Sequence, residues 1–403
     1  MRMHHLRVAT LVCLTGILPF TGCANSGEKP KSEQEKAALK KQWADARANV
    51  LYSLAKEQYE NGNFDKCRET ITDALKMDPD SIQLHVLSAK LAIEKGNLEA
   101  ADKELIQARR LDPKSAEADY LSGVVCQRWQ RTQEALDYYR SASEKQSGEL
   151  AYQMAQAEML VALGRSDDAL ALLQSKVVYF EYSAAIRDAV GQLLMQKGKY
   201  DKAAEVLRQA SILANDDDTI REHLALALFQ NKQYRDAIDI LNRLVHVDKY
   251  AKRADLYLAL GECQMQINKP RDARDSFDTA TQISPNAAHA WLGLGKSALA
   301  VNDLRRADIA LKRCLSVDPA SSECNLLLGY VRMRESKYEE ALAAFRKAHA
   351  LDDTDTVSLC MVGYTLEKLG KNDEAVRCYA KALKIKPGDD FATRLMAEVE
   401  VNH

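Results

Sequence analysis

Bulky cores, metal centres and redox pairs all need residues that this 403-residue sequence uses sparingly. Aromatic residues make up only 6% of it, which points away from a core of large rings and towards helices packed through small side chains. None of its nine cysteines forms a Cys-x-x-Cys pair, so it has neither a zinc knuckle nor a thioredoxin-like redox motif. Its histidines (His4, His5, His85, His223, His246, His289, His349 and His403) never occur as His-x-x-x-His or His-Glu-x-x-His, the spacings that hold catalytic zinc on a helix. No Gly-x-x-x-x-Gly-Lys-[Ser/Thr] loop is present to cradle phosphates, no Gly-x-Gly-x-x-Gly opens a helix after a strand, and no local nucleophile motif occurs. A formal net charge of −2 gives no long-range attraction to nucleic acid. Alternating apolar runs bounded by hairpin turns are missing too, so the expectation is all-α. These absences predict a protein with no metal, no cofactor, no small-molecule substrate and no enzymatic activity.

What is present is a period. From Ala288, the residues Trp291, Leu294, Gly295 and Ala298 lie on one face of a helix, and Ala307, Leu311 and Cys314 on one face of a second. Asn302-Asp303 reads as the turn between them, and Asp318-Pro319 ends the pair, because the residue before proline avoids the α region. Units of this kind start at Ala48, Ile82, Ala116, Leu150, Ala184, Asp218, Ala254, Ala288, Ser322 and Thr356. The spacing is constant except between Asp218 and Ala254, where the interval is longer by two. Position 8 of the unit is small throughout, and is glycine in six of ten units: Gly123, Gly191, Gly261, Gly295, Gly329 and Gly363. Position 20 is Cys67 and then alanine, from Ala101 to Ala375, while position 24 is always large, from Ile71 to Tyr379. Glycine inside a helix costs roughly 1 kcal/mol against alanine. The expected compensation is close contact between the two helices, with position 8 facing position 20 and position 24 filling the space between hairpins.

The pattern Trp291-x-x-Leu294-Gly295, Ala307-x-x-x-Leu311 and Pro319 resembles the tetratricopeptide signature, whose period matches the constant spacing of these units. The resemblance covers residues 48–388. It implies a right-handed superhelix of about ten helical hairpins, an all-α solenoid, with a concave groove that is lined by the first helix of each hairpin and binds other proteins or peptides. Each helix is too short to be stable alone, so stability comes from stacking and the ends need caps. Asp389 to Val401 supplies a last amphipathic helix, with Asp389 or Asp390 as its N-cap, and residues 389–403 are its capping segment. Two places break the pattern. Units three to six lose the terminal proline, carrying Ser147, Glu181, Asn215 and Lys249 in its place, and the fourth continues into Val177, Val178, Tyr179, Phe180 and Tyr182. That aromatic run reads either as an edge that meets a partner or, the favoured reading, as packing in a loosened turn between repeats. The two extra residues near Tyr250-Ala251 suggest a bend separating six repeats from four.

Ahead of the repeats, Arg2 and Arg7 precede an apolar run from Val8 to Phe20, which is too short to span a bilayer and fits the core of a signal peptide. Phe20-Thr21-Gly22-Cys23 resembles the lipobox of bacterial lipoproteins, with Phe20 where leucine is usual. This implies that residues 1–22 are a signal peptide, that Cys23 is lipidated, and that the protein is exported to the cell envelope. Ala24, in place of aspartate, implies the outer membrane facing the periplasm rather than the inner membrane. Residues 23–47 would then be a flexible tether followed by the start of an N-terminal helix near Trp43.

Export exposes cysteines to an oxidising compartment. Beyond Cys13 and Cys23 there are seven: Cys67, Cys126, Cys263, Cys314, Cys324, Cys360 and Cys378. Most occupy repeat columns as small buried residues. Cys314, at position 27, and Cys324, at position 3 of the next repeat, face one another across a short turn, either as a disulfide or in ordinary packing. The acidic runs from Asn215 to Asp218 and from Asp352 to Asp355 precede predicted helices and read as N-caps rather than cation sites.

By tetratricopeptide geometry, positions 2, 5, 9, 12 and 13 of each first helix look into the groove. In the central repeats these include Glu117, Glu158, Asp188, Glu222, Asp255 and Glu262 against one base, Arg128, with Tyr120, Met154, Met195, Leu226, Phe229, Leu258 and Met265 beside them. In the last three repeats they include Leu292, Leu299, Leu326, Tyr330, Met333 and Tyr364. Repeats of this family that clamp a chaperone's carboxylate tail use lysine, asparagine and arginine at positions 2, 5, 6 and 9, a pattern not met here. The expectation is an acidic, partly apolar groove suited to basic and apolar segments, in which the methionines and leucines equally serve as packing between helices. Together these features predict a membrane-anchored, non-enzymatic scaffold of the cell envelope. The alternative is an accessory lipoprotein of a pilus, secretion or exopolysaccharide export apparatus.

Overall fold

A computed structural model describes residues 32–401, all of whose regular structure is helical. The proposed signal segment, Cys23 and the first residues of the tether lie outside the described residues. The chain divides into two compact units, one ending at Val125 and the other beginning at Cys126.

The first unit contains α1 (Glu33–Glu60), α2 (Phe64–Met77), α3 (Ile82–Glu94), α4 (Leu98–Leu111) and the start of α5 (Ala116–Arg128). Sequence alone suggested a helix starting near Trp43, but α1 begins at Glu33 and runs unbroken into the first repeat. Its start is fixed by a capping box: the Glu35 amide donates to Ser32 Oγ at 3.2 Å and the Ser32 amide to Glu35 Oε2 at 2.9 Å. Only its second half is anchored. Ala55 packs with Cys67, Ile71, Leu87 and Leu91, and Ala48 with Ala74 and Leu84.

The second unit continues with α6 (Thr132–Lys145), α7 (Leu150–Ala162), α8 (Ser166–Lys176), α9 (Ala184–Gln196), α10 (Tyr200–Leu213), α11 (Asp218–Gln230), α12 (Tyr234–Leu244) and α13 (Ala254–Gln266). It ends with α14 (Pro270–Ile283), α15 (Ala288–Ala300), α16 (Leu304–Val317), α17 (Ser322–Arg334), α18 (Tyr338–Leu351), α19 (Thr356–Lys368), α20 (Asn372–Ile385) and α21 (Asp390–Val401). From α7 on, helices pair as hairpins, and from α6 each second helix packs on the first helix of the next hairpin. The Asp389 carboxylate accepts from the amides of Phe391 and Ala392 and so caps α21, while Thr356 Oγ1 ties it to the last repeat at 2.8 Å. Asp217 and Asp355 likewise accept from the amides opening α11 and α19.

The glycines at position 8 face a different column from the one expected. A Cβ on Gly329 would lie 2.4 Å from the Phe345 ring, on Gly191 2.4 Å from Leu207, and on Gly363 2.5 Å from Tyr379. In each case the neighbour is the large residue at position 24, not the alanine at position 20. Positions 20 and 24 lie one turn apart on the same helix face, and the longer side chain reaches across. Phe277 is held from both sides, by Gly261 of its own hairpin and Gly293 of the next. The backbone cost of glycine is thus offset by burying a ring, worth about 1.5–3 kcal/mol.

Position 15, in the turn inside each hairpin, is a column that sequence reading overlooked. All ten of its residues have positive φ: Gly62, Gly96, Gln130, Gly164, Gly198, Lys232, Asn268, Asn302, Ser336 and Gly370. The left-handed conformation suits glycine and is tolerated by asparagine. Gln130, Lys232 and Ser336 adopt it at a cost of about 1 kcal/mol each.

The links between hairpins differ. Cys314 and Cys324 form a disulfide with Cα atoms 6.6 Å apart, joining α16 to α17. The same two hairpins share a buried arginine, Arg332, which meets Asp308 at 2.5 Å, Glu335 at 2.7 Å and Glu340 at 2.8 Å. The two-residue insertion lies inside the second compact unit. There, residues 245–253 form a string of turns that brings Tyr250 to 1% exposure. The aromatic run of the fourth repeat does not pack as expected. Residues 177–182 are turns, and Val178, Tyr179 and Tyr182 are 78–83% exposed.

Candidate protein-binding face

First helices of successive hairpins touch one another, α9 with α11, α13 with α15 and α15 with α17, so their side chains form a common row. The carboxylates expected in the groove of the second unit lie on its first helices, but most have partners. Asp188 accepts from Gln192 on its own helix and meets His223 Nδ1 of the next hairpin, both at 2.7 Å. Hydrogen bonding to Asp188 raises the His223 pKa above its ordinary value, against the effect of burial. Arg253 meets Glu222 at 2.8 Å and Asp255 at 2.5 Å, and holds the Asp255 carboxyl below the usual range. Glu158 accepts from Gln127 Nε2 at 3.0 Å. Within the first unit, Glu117 pairs with Lys90 at 2.5 Å, and the same rung, position 9 to position 2 of the next repeat, recurs as Lys296 and Glu323 at 2.7 Å. The groove is therefore not a bare acidic strip beside a single base.

Glu262 is different. No hydrogen bond or ion pair holds it among the described residues, and although the residue as a whole is exposed, partial desolvation pushes its carboxyl above the ordinary range. His289 and Lys296 of the next hairpin oppose that shift only weakly.

The apolar members divide by how they pack. Leu258 and Met265 lie against the cluster around Phe277, and Leu292 and Leu299 against the one around Leu311. Leu326, Tyr330, Met333 and Tyr364 join the last core cluster, with the Tyr330 ring edge-on to Phe345 at 5.5 Å. Burial raises the Tyr330 pKa. These half-buried side chains support the core and offer only their edges outward. Phe229 stands edge-on to Tyr234 at 6.2 Å, Lys368 covers the Tyr364 ring at 5.0 Å, and Tyr120 and Met154 are half-buried.

Sequence reading missed His223 and Arg253 because they sit outside the five inward columns. His223 is at position 6, and Arg253 is the N-cap residue just ahead of position 1 of the seventh repeat, where other repeats carry Ser183, Asp217 or Ser321. The lengthened interval between the sixth and seventh repeats was the available signal. Among the described residues no group of three or more His, Cys, Asp or Glu is placed to hold a metal, and no helix is long and apolar enough to cross a membrane.

Comparison with known families agrees with this geometry. The tetratricopeptide repeat model matches residues 58–123. The chain is a tetratricopeptide-repeat protein. Two further models match this repeat protein in part: the C-terminal domain of cilia and flagella-associated protein 70 over residues 219–403, and anaphase-promoting complex subunit 3 over residues 182–244. Among solved structures, a tetratricopeptide repeat protein from Parabacteroides merdae is similar at 20% identity, covering 62% of this chain and 98% of that one with a TM-score of 0.42. MamA from Desulfovibrio magneticus is similar at 17% identity over 43% of this chain and 98% of that one, with a TM-score of 0.41. YrrB, described as having an unusual peptide-binding site, is similar at 19% over 47% of this chain and 97% of that one, also with a TM-score of 0.41. Comparison with curated proteins found no match. Proteins of the tetratricopeptide kind bind other proteins or peptides.

Proposed function

We propose that this repeat protein is a non-enzymatic scaffold of the bacterial cell envelope, anchored by lipid at Cys23, that binds a segment of another protein along its first helices. The row Glu158, Asp188, Glu222, Asp255 and Glu262 on successive first helices carries the binding part of this reading. Because His223 and Arg253 already neutralise much of the row, a partner gains most at Glu262, where a basic side chain meets an unpaired carboxylate beside apolar edges. The partner is accordingly an extended or helical segment with spaced rather than continuous basic residues. The anchor rests on Phe20-Thr21-Gly22-Cys23 and the apolar run before it.

Binding is tested with a photo-crosslinking residue at exposed Glu158 in intact cells, and at exposed Ile309 on a second helix as the control. A discrete adduct from the first position alone, lost when Glu262 is changed to lysine, is the expected result. Equal adducts from both positions, or capture that survives Glu262→Lys, would overturn the assignment of this face. For the anchor, incorporation of labelled palmitate should disappear in Cys23→Ala, and unchanged incorporation would remove it from the proposal.

A further inference from the structure

We propose that α1 is a self-association surface, on which a second copy of the chain docks α1 against α1 in antiparallel register. The helix has two apolar faces. Ala48 and Ala55, with Leu51, Tyr52 and Tyr59 beside them, pack into the first two hairpins. On the other side Leu39, Trp43, Ala46, Val50 and Leu54 fall within roughly 80° of arc, given the angular step of an α-helix. All five are exposed, Trp43 at 76% and Val50 at 68%. Every residue from Glu33 to Trp43 is exposed, so three turns of helix project without tertiary support. Helix that short is marginal in water unless something packs on it, and an exposed tryptophan amid aliphatic residues has the composition of an interface centre.

The pattern specifies the occupant. A twofold axis midway between Ala46 and Arg47 sets Leu39 opposite Leu54 of the second copy, Trp43 opposite its Val50, and Lys36 opposite its Glu57. Apart from Ala46 opposite Arg47 at the axis itself, apolar residues thus meet apolar ones, and opposite charges close both ends, as an isologous contact allows. Neither Lys36 nor Glu57 has an ion-pair partner among the described residues. The chain's other end does not fit this surface. In α21 the buried residues Ala392, Leu395 and Val399 face the repeats, while Thr393, Arg394 and Glu398 are exposed. A polar cap of that kind gives the α1 stripe nothing apolar to meet, so head-to-head pairing is favoured over head-to-tail.

The test uses the full chain, oxidised in its native membranes and sized by light scattering in a mild detergent. Ala46→Cys should give a covalent dimer, and Ala397→Cys, on the exposed side of α21, none. Trp43→Asp should weaken association by about tenfold or more. Lys36→Glu and Glu57→Lys should each weaken it severalfold, and the double swap should restore it. A chain that stays monomeric without an Ala46→Cys crosslink would overturn the proposal. So would a double swap no better than the single changes, and so would Trp43→Asp lowering attachment to anionic phospholipid vesicles while association is unchanged; that last pattern would assign the stripe to a membrane surface.

Discussion

Two links between hairpins, one after the fourth and one after the sixth, break the pattern in opposite ways. The first keeps the regular spacing and exposes its aromatics, with Tyr179 and Tyr182 in solvent and the Lys176 ammonium 5.8 Å from the Tyr179 ring centre. The second is longer by two and buries its aromatic, with Lys249 and Arg253 over the Tyr250 ring at 5.0 and 5.8 Å. The added length lets the backbone turn back under the next helix, and Arg253 is placed by that same turn against Glu222 and Asp255. One lengthened link therefore supplies a core residue and leads into the base that neutralises the binding face. Aromatic content alone does not say which link is structural; chain length does.

The comparison is broken most directly by removing each side chain. Tyr250→Ala should cost about 3–4 kcal/mol in urea unfolding of the second unit, whereas Tyr179→Ala and Tyr182→Ala should stay within about 0.5 kcal/mol. Equal effects would erase the distinction. A third link, closed by Cys314 and Cys324, gives a covalent reference. Replacing both cysteines by alanine should cost about 2–3 kcal/mol against the oxidised chain, the value expected for a closed loop of this size, and the difference should vanish against the same chain under reducing conditions. Turns inside hairpins sharpen the contrast because there the strain lies in one residue. Lys232→Gly should stabilise by about 1 kcal/mol by relieving its positive φ, while Gly198→Ala at the same position destabilises. The smallest effect is electrostatic. His223 gains a partner and its pKa rises on folding, so its contribution is complete below its unfolded value near 6.5 and is lost as pH rises through the higher folded value. Melting temperature should thus fall slightly between pH 6 and 8, and His223→Gln should flatten that slope.

The fold was legible because one sustained period constrains every helix at once, and a single accidental match could not do so. What the columns left open was which residues meet. Positions 20 and 24 are both available to position 8, and only the coordinates show that the ring of Phe345 rather than Ala341 fills the space above Gly329. The left-handed column was readable in principle from five glycines and two asparagines, but Gln130, Lys232 and Ser336 obscured it. The length of α1 was written in propensity instead of apolar spacing, since Ala37-Ala38-Leu39-Lys40-Lys41 favours helix without marking a buried face. The site was the least legible part. The inward columns named the carboxylates, and Gln127 lies in one of them at position 12, but His223 and Arg253 arrive from positions that those columns leave out.

The bond between Cys314 and Cys324 also has a mechanical meaning. A stack of hairpins pulled from its ends unravels one unit at a time, each releasing its full length of chain. Here the link between hairpins eight and nine cannot be drawn out, and at a separation of 10 residues it withholds roughly 35 Å from the stretched contour. With Arg332 clamped to Asp308 across the same junction, the two hairpins should yield to force as one element, in a single longer step where their neighbours give two.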